Sequence, residues 1–386
     1  MMPIRYTHHL LESCTGTPPL GCRYCDRGTK MVLYITGICA RNCFYCPLSE
    51  EKKDRGVIFA NERPVKGKRW LEGIIEEVER MKALGTGITG GDPMMFPERT
   101  AEVIRALKKR FGSKHHIHLY TSGPFEKDLL ERVNKAGLDE IRFHPPVEVW
   151  ERFRYLGTGA DEGDPGEADI YHDLIEAARE AGLHTGIEIP SIPAGPDLDY
   201  SDSLKAILDY GARENLEFIN VNELEASHTN ADRMRDMGYS LVGISMAVEG
   251  SRQLAWEAIR EVEGNNPESR TVFHFCSSVY KDSVQMRNRL KRTAKNVHRP
   301  YEMVTGDGTI LRGVVESDDP EAVRDLMRDR LGVPDDMVSF QGDLIHIAPW
   351  ILEEIHTDIE GRCYLSEVYP TWDGLEVERI PLDPGS

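Results

Sequence analysis

Three cysteines separated by three and then two residues form the most chemically distinctive pattern in the sequence. They are Cys39, Cys43 and Cys46, and they follow an apolar segment, residues 31–37, that is predicted to be a β-strand. A [4Fe-4S] cluster normally takes four thiolate ligands, so three thiolates from one loop would leave one iron without a protein ligand. Zinc is the alternative, but structural zinc sites usually take paired C-x2-C arrangements. The spacing therefore predicts an iron–sulfur cluster with one open iron.

A second group of cysteines lies closer to the N-terminus, in a segment rich in glycine and proline. Its members are Cys14, Cys22 and Cys25. The C-x2-C pair has the spacing of a metal-binding knuckle, and three ligands call for a fourth. Cys276, at the end of a strand predicted over residues 271–275, is the better fourth ligand, and Cys363 is the weaker one. The site would hold iron, zinc or an additional cluster, and thiols without a metal in a disordered leader are the remaining alternative.

The composition fits a soluble globular protein, with 40% hydrophobic and 29% charged residues. The 47 basic and 65 acidic side chains give a net charge of −18, which argues against a broad surface for nucleic acid. One basic stripe runs through residues 281–299: Lys281, Arg287, Arg289, Lys291, Arg292, Lys295 and Arg299. We interpret it first as a solvated helix face and second as a contact for phosphate or an acidic peptide.

No apolar run approaches the roughly 18 residues that are needed to span a bilayer, so we expect no membrane partner. Residues 1–9 have no apolar stretch behind a basic one, which is the pattern of an export signal. We therefore expect a cytoplasmic protein, in which crowded cysteines bind metal rather than form disulfides.

From residue 31 onwards, apolar β-rich runs alternate with amphipathic helical patterns, which is typical of βα units and a parallel sheet. Strands are predicted near residues 31–37, 88–89, 116–121, 140–143, 185–189 and 218–221. Helices are predicted near residues 71–84, 98–111, 127–136, 171–181 and 203–214. The pattern indicates an α/β fold, a partial (β/α)6 barrel of the TIM type, with its active site at the carboxyl ends of the strands. The strand at 271–275 would extend or cap this sheet.

We expect three regions along the chain. Residues 1–30 form a cysteine-rich metal-binding extension, residues 31–280 form the partial barrel, and residues 281–386 form a basic helix and a small α+β module. In the module, strands are predicted near residues 309–315, 339–340 and 344–347, a helix over 320–331, and a turn and strand over 369–377. Three histidines near the third strand, His115, His116 and His118, are interpreted as a polar strand flank rather than as a metal site.

The element Gly90-Gly91-Asp92-Pro93 stands at the end of the second predicted strand, one βα unit after the cysteine loop. With the C-x3-C-x2-C spacing and Tyr45, it resembles the radical S-adenosylmethionine (SAM) superfamily, in which Gly-Gly-Glu-Pro is commoner. The resemblance covers roughly residues 31–225. It implies a cluster whose open iron binds the methionine part of SAM, an external one-electron donor, and a 5′-deoxyadenosyl radical that takes hydrogen from carbon.

The resemblance also implies a SAM site at the strand ends. The Gly90–Gly91 backbone and the Asp92 carboxylate would meet the SAM amino group, since glycine permits close approach of the backbone. Ser122 would bind the ribose, Arg142 or His144 the carboxylate, and Glu188 or Asn222 the sugar hydroxyls. The complete candidate set is Tyr45, Gly90, Gly91, Asp92, Pro93, Ser122, Arg142, His144, Glu188, Asn220 and Asn222. Ordinary hydrogen bonding at the barrel rim is the alternative for each side chain.

Residues 21–25, 45–49 and 275–278 resemble a largely archaeal radical SAM group that is related to pyruvate formate-lyase activating enzyme. Two related groups are the glycyl-radical activating enzymes and the cobalamin-dependent methyltransferases that modify methyl-coenzyme M reductase. Both act on proteins, so we expect a protein or peptide substrate. Carbon methylation is placed ahead because a separate C-terminal module would accommodate cobalamin, although the Asp-x-His-x2-Gly cobalamin signature is absent. RNA modification stays open because of the basic stripe, and a non-catalytic iron–sulfur carrier would not need the Gly90–Pro93 element.

Overall fold

The computed structural model describes residues 14–157 and 163–382, which fold into two compact units. The first unit comprises residues 14–76 and Ala83–Gln285, and the second comprises Glu77–Lys82 and residues 286–382. Residues 1–13, which carry the expectation about an export signal and part of the predicted 1–30 extension, lie outside the described residues. Residues 14–30 belong to the first unit. In the described part of the chain, no helix has the length and apolar character to cross a membrane.

A nine-stranded sheet forms the centre of the first unit. The strands of this unit, including a separate two-stranded ribbon formed by β9 and β10, are β1 (Lys30–Tyr34), β2 (Ile58–Ala60), β3 (Arg63–Val65), β4 (Gly85–Thr89), β5 (His116–Thr121), β6 (Glu140–Phe143), β7 (His184–Ser191), β8 (Phe218–Glu223), β9 (Leu241–Val242), β10 (Ala247–Val248) and β11 (Val272–Cys276). The parallel strands follow the order β1-β4-β5-β6-β7-β8-β11, and β2 and β3 are added antiparallel beside β1. The six predicted strands are confirmed, and the strand predicted at 271–275 extends the sheet as a seventh parallel strand.

Most helices of this part of the chain lie between successive parallel strands, whereas the first precedes the sheet and the last follows it. In chain order they are α1 (Leu20–Asp26), α2 (Trp70–Met81), α3 (Pro97–Phe111), α4 (Lys127–Ala136), α5 (Val147–Trp150), α6 (Glu167–Glu180), α7 (Ser201–Arg213), α8 (Ala231–Asp236), α9 (Ser251–Asn265) and α10 (Ser278–Tyr280). Their apolar residues recur at helical spacing, as in α3, which buries Val103, Ile104 and Leu107. The α/β fold expected from the alternating pattern is therefore confirmed.

Side chains alternate along each strand, so the two faces of the sheet have different environments. In β5, Ile117 and Leu119 are fully buried, whereas His118 and Tyr120 line an interior cavity. The inner face of the sheet is therefore unusually polar, and buried polar groups require partners. These inward side chains supply the site that is described below.

Residues 14–26, which precede β1, extend into the interior of the first unit. Cys14 forms an antiparallel bridge with His274 in β11, and the Thr15 N–H donates to the Phe273 carbonyl over 2.9 Å. Helix α1 contacts β1, β4 and β5. A Cβ on Gly21 would lie 2.6 Å from Nη2 of Arg142, so glycine permits this close approach. The fold thus brings the N-terminal cysteines into the interior of the first unit.

The second unit is a six-stranded antiparallel sheet with helices. Its strands are β12 (Met303–Val304), β13 (Ile310–Glu316), β14 (Val338–Gln341), β15 (Leu344–Ile347), β16 (Arg362–Val368) and β17 (Glu376–Pro381). Its helices are α11 (Arg287–Val297), α12 (Pro320–Asp325) and α13 (Pro349–Ile355). The strand order is β14-β15-β13-β16-β17, with β12 paired to β13. Cys363 is buried in an aliphatic core with Val315, Ile345 and Leu352.

Candidate active site

The cysteine loop follows β1, and its three cysteines line one cavity of about 580 Å³. The side-chain amide of Asn230 holds the loop by donating to the carbonyls of Tyr45 over 3.1 Å and Cys46 over 3.2 Å. Within the loop, the Cys46 N–H donates to the Cys43 carbonyl over 3.1 Å. Three cysteines on one cavity wall provide what a cubane cluster with an open iron requires, so these residues fit such a cluster.

Burial and hydrogen bonds to sulfur act on the three thiols of the loop. Burial raises the pKa of the Cys43 and Cys46 thiols, so their thiolate forms need a positive charge nearby at neutral pH. The iron ions of a cluster would supply that charge. Sγ of Cys39 lies 3.3 Å from Oγ of Ser122 and accepts the Arg41 N–H over 3.4 Å. Such hydrogen bonds orient a ligating sulfur and tune the cluster that it holds.

Gly90 and Gly91 bring the end of β4 directly against the cysteine loop. The Gly91 N–H donates to the Thr36 carbonyl over 2.6 Å, and the Asp92 N–H donates to the Ile38 carbonyl over 2.9 Å. A Cβ on Gly91 would overlap the Ile38 carbonyl and lie 2.6 Å from its carbon atom. Gly90 has a φ of 151°, and a Cβ there would lie 3.2 Å from the Thr36 nitrogen. Both glycines line the cavity and are needed for this close approach.

Asp92 is buried and does not line the cavity. Its carboxylate accepts the Met94 N–H over 2.9 Å, the Thr121 hydroxyl over 3.0 Å, and the Ser122 N–H and hydroxyl over 3.1 and 3.0 Å. Burial raises the pKa of Asp92, and the four donors act in the opposite direction. The sequence assigned Asp92 to the SAM amino group. Four protein donors already bind this carboxylate, and two of them belong to Ser122, so Asp92 holds Ser122 in place; its contact with SAM stays a prediction.

We expect Asp92→Asn to weaken SAM binding by about tenfold or more, because an amide cannot accept all four hydrogen bonds and leaves buried donors unsatisfied at about 1–3 kcal/mol each. Asp139→Asn is the matched control, since Asp139 accepts hydrogen bonds from the Ile117 N–H over 2.7 Å and from Nζ of Lys108 over 2.6 Å. Ile117 lies near the amino end of β5, and Thr121, a donor to Asp92, lies at its carboxyl end. Calorimetric titration with SAM and thermal unfolding check the result. Both variants should unfold at lower temperature, and only Asp92→Asn should bind SAM weakly. Wild-type affinity in Asp92→Asn would contradict the positioning role.

Tyr45, Ser122 and His144, three of the predicted SAM-binding residues, lie on the cavity wall. Nδ1 of His144 lies 2.7 Å from the Glu188 carbonyl oxygen and therefore carries the proton, because a carbonyl oxygen only accepts. Nε2 then accepts the Tyr45 hydroxyl over 3.3 Å. Burial lowers the pKa of His144, so the ring is neutral near pH 7. The pair forms a fixed, uncharged aromatic wall beside the cysteine loop.

A hydrogen-bonded network surrounds the carboxylate of Glu188. The carboxylate accepts hydrogen bonds from Nη1 of Arg142 over 2.6 Å, from Nδ2 of Asn220 over 2.8 Å and from Nδ2 of Asn222 over 3.0 Å. Burial alone would raise the pKa of Glu188, but the guanidinium and the two amides hold it below its usual range. Arg142 also pairs with Glu140, with Nε 2.7 Å from Oε1. Two carboxylates neutralise Arg142, so its expected role with the SAM carboxylate would require breaking a buried pair.

The structure brings most of the predicted SAM-binding residues to one cavity. Those that line it are Tyr45, Gly90, Gly91, Ser122, His144, Glu188 and Asn222. Four others do not line it: Asp92, Pro93, Arg142 and Asn220. Asp92, Arg142 and Asn220 contact residues that do, and Pro93 begins the short 3-10 helix Pro93–Met95.

Lys30 lines the cavity but was not predicted as a site residue. Its Nζ lies 2.6 Å from Nδ1 of His118 and donates to the Gly21 carbonyl over 3.2 Å. Burial lowers the pKa of Lys30. A lysine that begins an otherwise apolar strand was the available signal, because a buried amine needs designated partners.

Arg41, within the cysteine loop, is a second residue that the sequence did not single out. It donates to the Gly123 carbonyl over 2.9 Å and pairs with Glu167. These contacts connect the loop to the residues that follow β5 and to the start of α6. The Arg41 side chain therefore holds the cysteine loop in place, in addition to lining the cavity.

The expectation for the histidines near β5 can be compared with their surroundings. Within residues 14–157 and 163–382, His116, His118 and Glu140 are the one group of three or more candidate ligands whose ligand atoms lie within 4.8 Å of one another. Lys30 and Arg142 directly contact this group, at His118 and Glu140 respectively. Lys30 and Arg142 thus give this group protein partners, and its interpretation as a polar strand flank stays a prediction.

The basic stripe is not one continuous surface feature. Lys281 lines the cavity of the first unit and pairs with Glu225 over 3.0 Å. Arg292 belongs to the second unit and donates to the carbonyls of Met81 over 2.9 Å and Lys82 over 2.8 Å. The remaining basic residues of α11 are half-buried or exposed. The stripe is thus divided between structural contacts and solvent.

Known proteins with similar sequences extend over the whole chain. A sequence profile of the radical SAM superfamily matches residues 33–207, and a domain of unknown function, DUF8061, matches residues 308–382. A protein of Methanocaldococcus jannaschii, whose name places it provisionally among the glycyl-radical enzyme activating enzymes, is 36% identical over 394 residues. The alignment covers 99% of this chain and 97% of that relative.

Solved structures that the chain matches include HydG, a maturase of [FeFe]-hydrogenase, with a TM-score of 0.41, 15% identity, and coverage of 72% of this chain and 66% of that one. Methylornithine synthase, PylB, gives a TM-score of 0.39 and 11% identity, covering 65% of this chain and 71% of that one. TsrM from Kitasatospora setae, a radical SAM methyltransferase, gives 0.34 and 15%, covering 52% of this chain and 37% of its own. The chain thus spans less than two thirds of HydG and TsrM.

Proposed function

The chain belongs to the radical SAM superfamily, and from this premise we propose that it cleaves SAM reductively and generates a glycyl radical in a protein substrate. Three cysteines and the Gly90–Gly91 backbone on one cavity wall carry the first part of the proposal. The name of the Methanocaldococcus jannaschii relative supports the second part. When bound, a reduced [4Fe-4S] cluster with SAM supplies a carbon-centred radical that takes hydrogen from a C–H bond, and an external donor supplies the electron.

The residues of the cavity divide between holding the cluster and holding SAM. Cys39, Cys43 and Cys46 would ligate the cluster and leave one iron open for the methionine part of SAM. The backbone of Gly90 and Gly91 borders the cysteine loop, so it is assigned to the same part of SAM. The three thiolates would bind iron, and the backbone groups of Gly90 and Gly91 are neutral. The buried charged side chains of the cavity are therefore left for other contacts.

A second set of residues is assigned to the remainder of SAM. Ser122 is fixed by Asp92, and Tyr45 and His144 form the aromatic wall beside it. Glu188 and Asn222 offer a carboxylate and an amide to sugar hydroxyls. Apolar residues of the same cavity exclude water and other hydrogen donors from the reacting carbon: Val32, Leu48, Pro190 and Leu224.

Carbon methylation, which the sequence placed first, stays a prediction. It requires a methyl carrier, and the chain lacks the Asp-x-His-x2-Gly signature of cobalamin binding. We assign no residue to cobalamin and route no step through it. Glycyl-radical formation needs one electron, SAM and an accessible glycine, and it needs no methyl carrier.

Isotope transfer tests the proposed substrate directly. The reconstituted protein is incubated with SAM, a reductant and a protein extract whose glycine is deuterated at the α-carbon, and 5′-deoxyadenosine is analysed by mass spectrometry. We expect deuterium in the nucleoside with the glycine label and none with an extract in which only alanine is deuterated. Unlabelled 5′-deoxyadenosine together with S-adenosylhomocysteine would contradict glycyl-radical formation and favour methylation.

A further inference from the structure

Four cysteines remain outside the cysteine loop of the first unit, and the fold collects them in one place. Cys14, Cys22 and Cys276 pack together with Tyr280. Cys25 lies one helical turn after Cys22 in α1, on the same side of that helix. All eight cysteines are within the described residues, and none forms a disulfide bond.

The elements that carry these cysteines explain how residues so distant in sequence come together. Cys22 and Cys25 lie three residues apart in α1, so they share one face of the helix. Cys276 is the last residue of β11. The bridge between Cys14 and His274 joins the N-terminal segment to that strand. The N-terminal segment with α1 and the end of β11 are therefore held together around the four sulfurs.

Nitrogen donors surround the sulfurs in addition to the apolar contacts. Nη2 of Arg142 and Nδ2 of Asn220 lie 3.5 and 3.4 Å from Sγ of Cys22, and Nε2 of Gln285 lies 3.5 Å from Sγ of Cys276. Donors directed at ligating sulfurs are typical of iron–sulfur sites, where they tune the cluster. A cysteine that only fills space needs no such donors.

His274 provides an independent sign of a ligand at this place. Its side chain is 2% exposed. Nδ1 lies 3.1 Å from Oδ1 of Asn220, whereas the buried Nε2 has no hydrogen-bond partner among the described residues. The ring also lies against Cys22. A buried ring nitrogen needs a hydrogen-bond partner, and the sulfur of Cys22, or a cluster bound to it, is the group beside the His274 ring.

We propose that Cys14, Cys22, Cys25 and Cys276 ligate a second [4Fe-4S] cluster. A tetrahedral zinc ion with bonds of about 2.3 Å would hold four sulfurs about 3.8 Å apart. In the described part of the chain, candidate ligands within 4.8 Å of one another occur in threes only at His116, His118 and Glu140. No three of the four sulfurs, all of which belong to described residues, therefore lie within 4.8 Å of one another, which does not fit a zinc tetrahedron and agrees with the larger cubane. The same holds for Cys39, Cys43 and Cys46.

The second cluster goes beyond the proposed function, which needs one cluster only. Cys25 lines the cavity of about 580 Å³ that Cys39, Cys43 and Cys46 also line. The second cluster therefore borders the space assigned to SAM and substrate. Four protein ligands leave it without an open iron, so it is distinct in chemistry from the first cluster.

Iron and sulfide analysis of full-length protein, reconstituted without oxygen with Fe²⁺ and sulfide, tests the second site. Wild type should hold about eight irons per chain, as two clusters of four. The variant with Cys39, Cys43 and Cys46 changed to alanine should keep about four, and so should Cys22→Ser combined with Cys276→Ser. Cys363→Ala, which changes a buried cysteine in the core of the second unit, is the matched control and should keep about eight.

Cys25→Ala gives a second variant in case the buried double variant fails to fold, because Cys25 is half-buried. It should lose the second cluster or convert it to a three-iron form that is detected by electron paramagnetic resonance after oxidation. The proposal is overturned by about four irons in wild type, by no iron in the Cys39, Cys43 and Cys46 variant, or by stoichiometric zinc that depends on Cys22 and Cys276. Loss of SAM cleavage with four irons retained would concern the proposed function and not this site.

Discussion

Gly91→Ala is expected to lower SAM affinity by at least about tenfold and to reduce the iron retained in the cysteine loop, whereas Gly56→Ala should change neither. A Cβ at Gly91 would overlap the Ile38 carbonyl, and the atom that it meets is backbone, which cannot rotate away. Forced overlap of this kind costs typically about 1–3 kcal/mol, and here the strain falls on the start of the cysteine loop. The substitution therefore displaces the cysteine loop and the Gly90–Gly91 element, which have to fit together.

The control is matched in chemistry, because a Cβ on Gly56 meets no atom within 4 Å. Equilibrium dialysis with SAM, iron analysis and thermal unfolding of both variants separate local from global effects. Wild-type SAM affinity in Gly91→Ala would show that the Gly90–Gly91 contact with the loop is dispensable. The glycine element would then lose its place in the site.

The strand pattern allowed much of the first unit to be predicted, because alternation and length depend on local sequence. It also placed Cys276 at the cluster-bearing end of the barrel, as a candidate fourth ligand to Cys14, Cys22 and Cys25, since the carboxyl ends of parallel strands lie on one side of the sheet. The structure brings these two residues into one cluster at the end of β11. The position of Cys276 follows from topology, whereas its contact with Cys22 also depends on where α1 packs.

The partners of buried charges could not be predicted in the same way. Asp92 accepts hydrogen bonds from Thr121 and Ser122, and Arg142 pairs with Glu188. Each pair joins different strands, so register and side-chain direction decide it rather than residue type. The sequence therefore identified the strand ends that carry the site but assigned Asp92 and Arg142 to SAM, where the structure gives them protein partners.

The largest effect is expected from replacing Cys39, Cys43 and Cys46 together by alanine, which should abolish reductive cleavage of SAM. Without these thiolates there is no ligand set for a cluster in the loop, and SAM has no open iron to bind. The substitutions remove three half-buried thiols from a loop without regular strands or helices, so the sheet should remain folded. Circular dichroism and the iron kept at Cys14, Cys22, Cys25 and Cys276 serve as controls for folding.

The most direct test is the amount of 5′-deoxyadenosine that wild type and this variant release from SAM under a strong reductant, measured by mass spectrometry against a blank without protein. We predict release by wild type and none above the blank by the variant. Release by the variant at the wild-type level would contradict the assignment of the catalytic cluster to Cys39, Cys43 and Cys46.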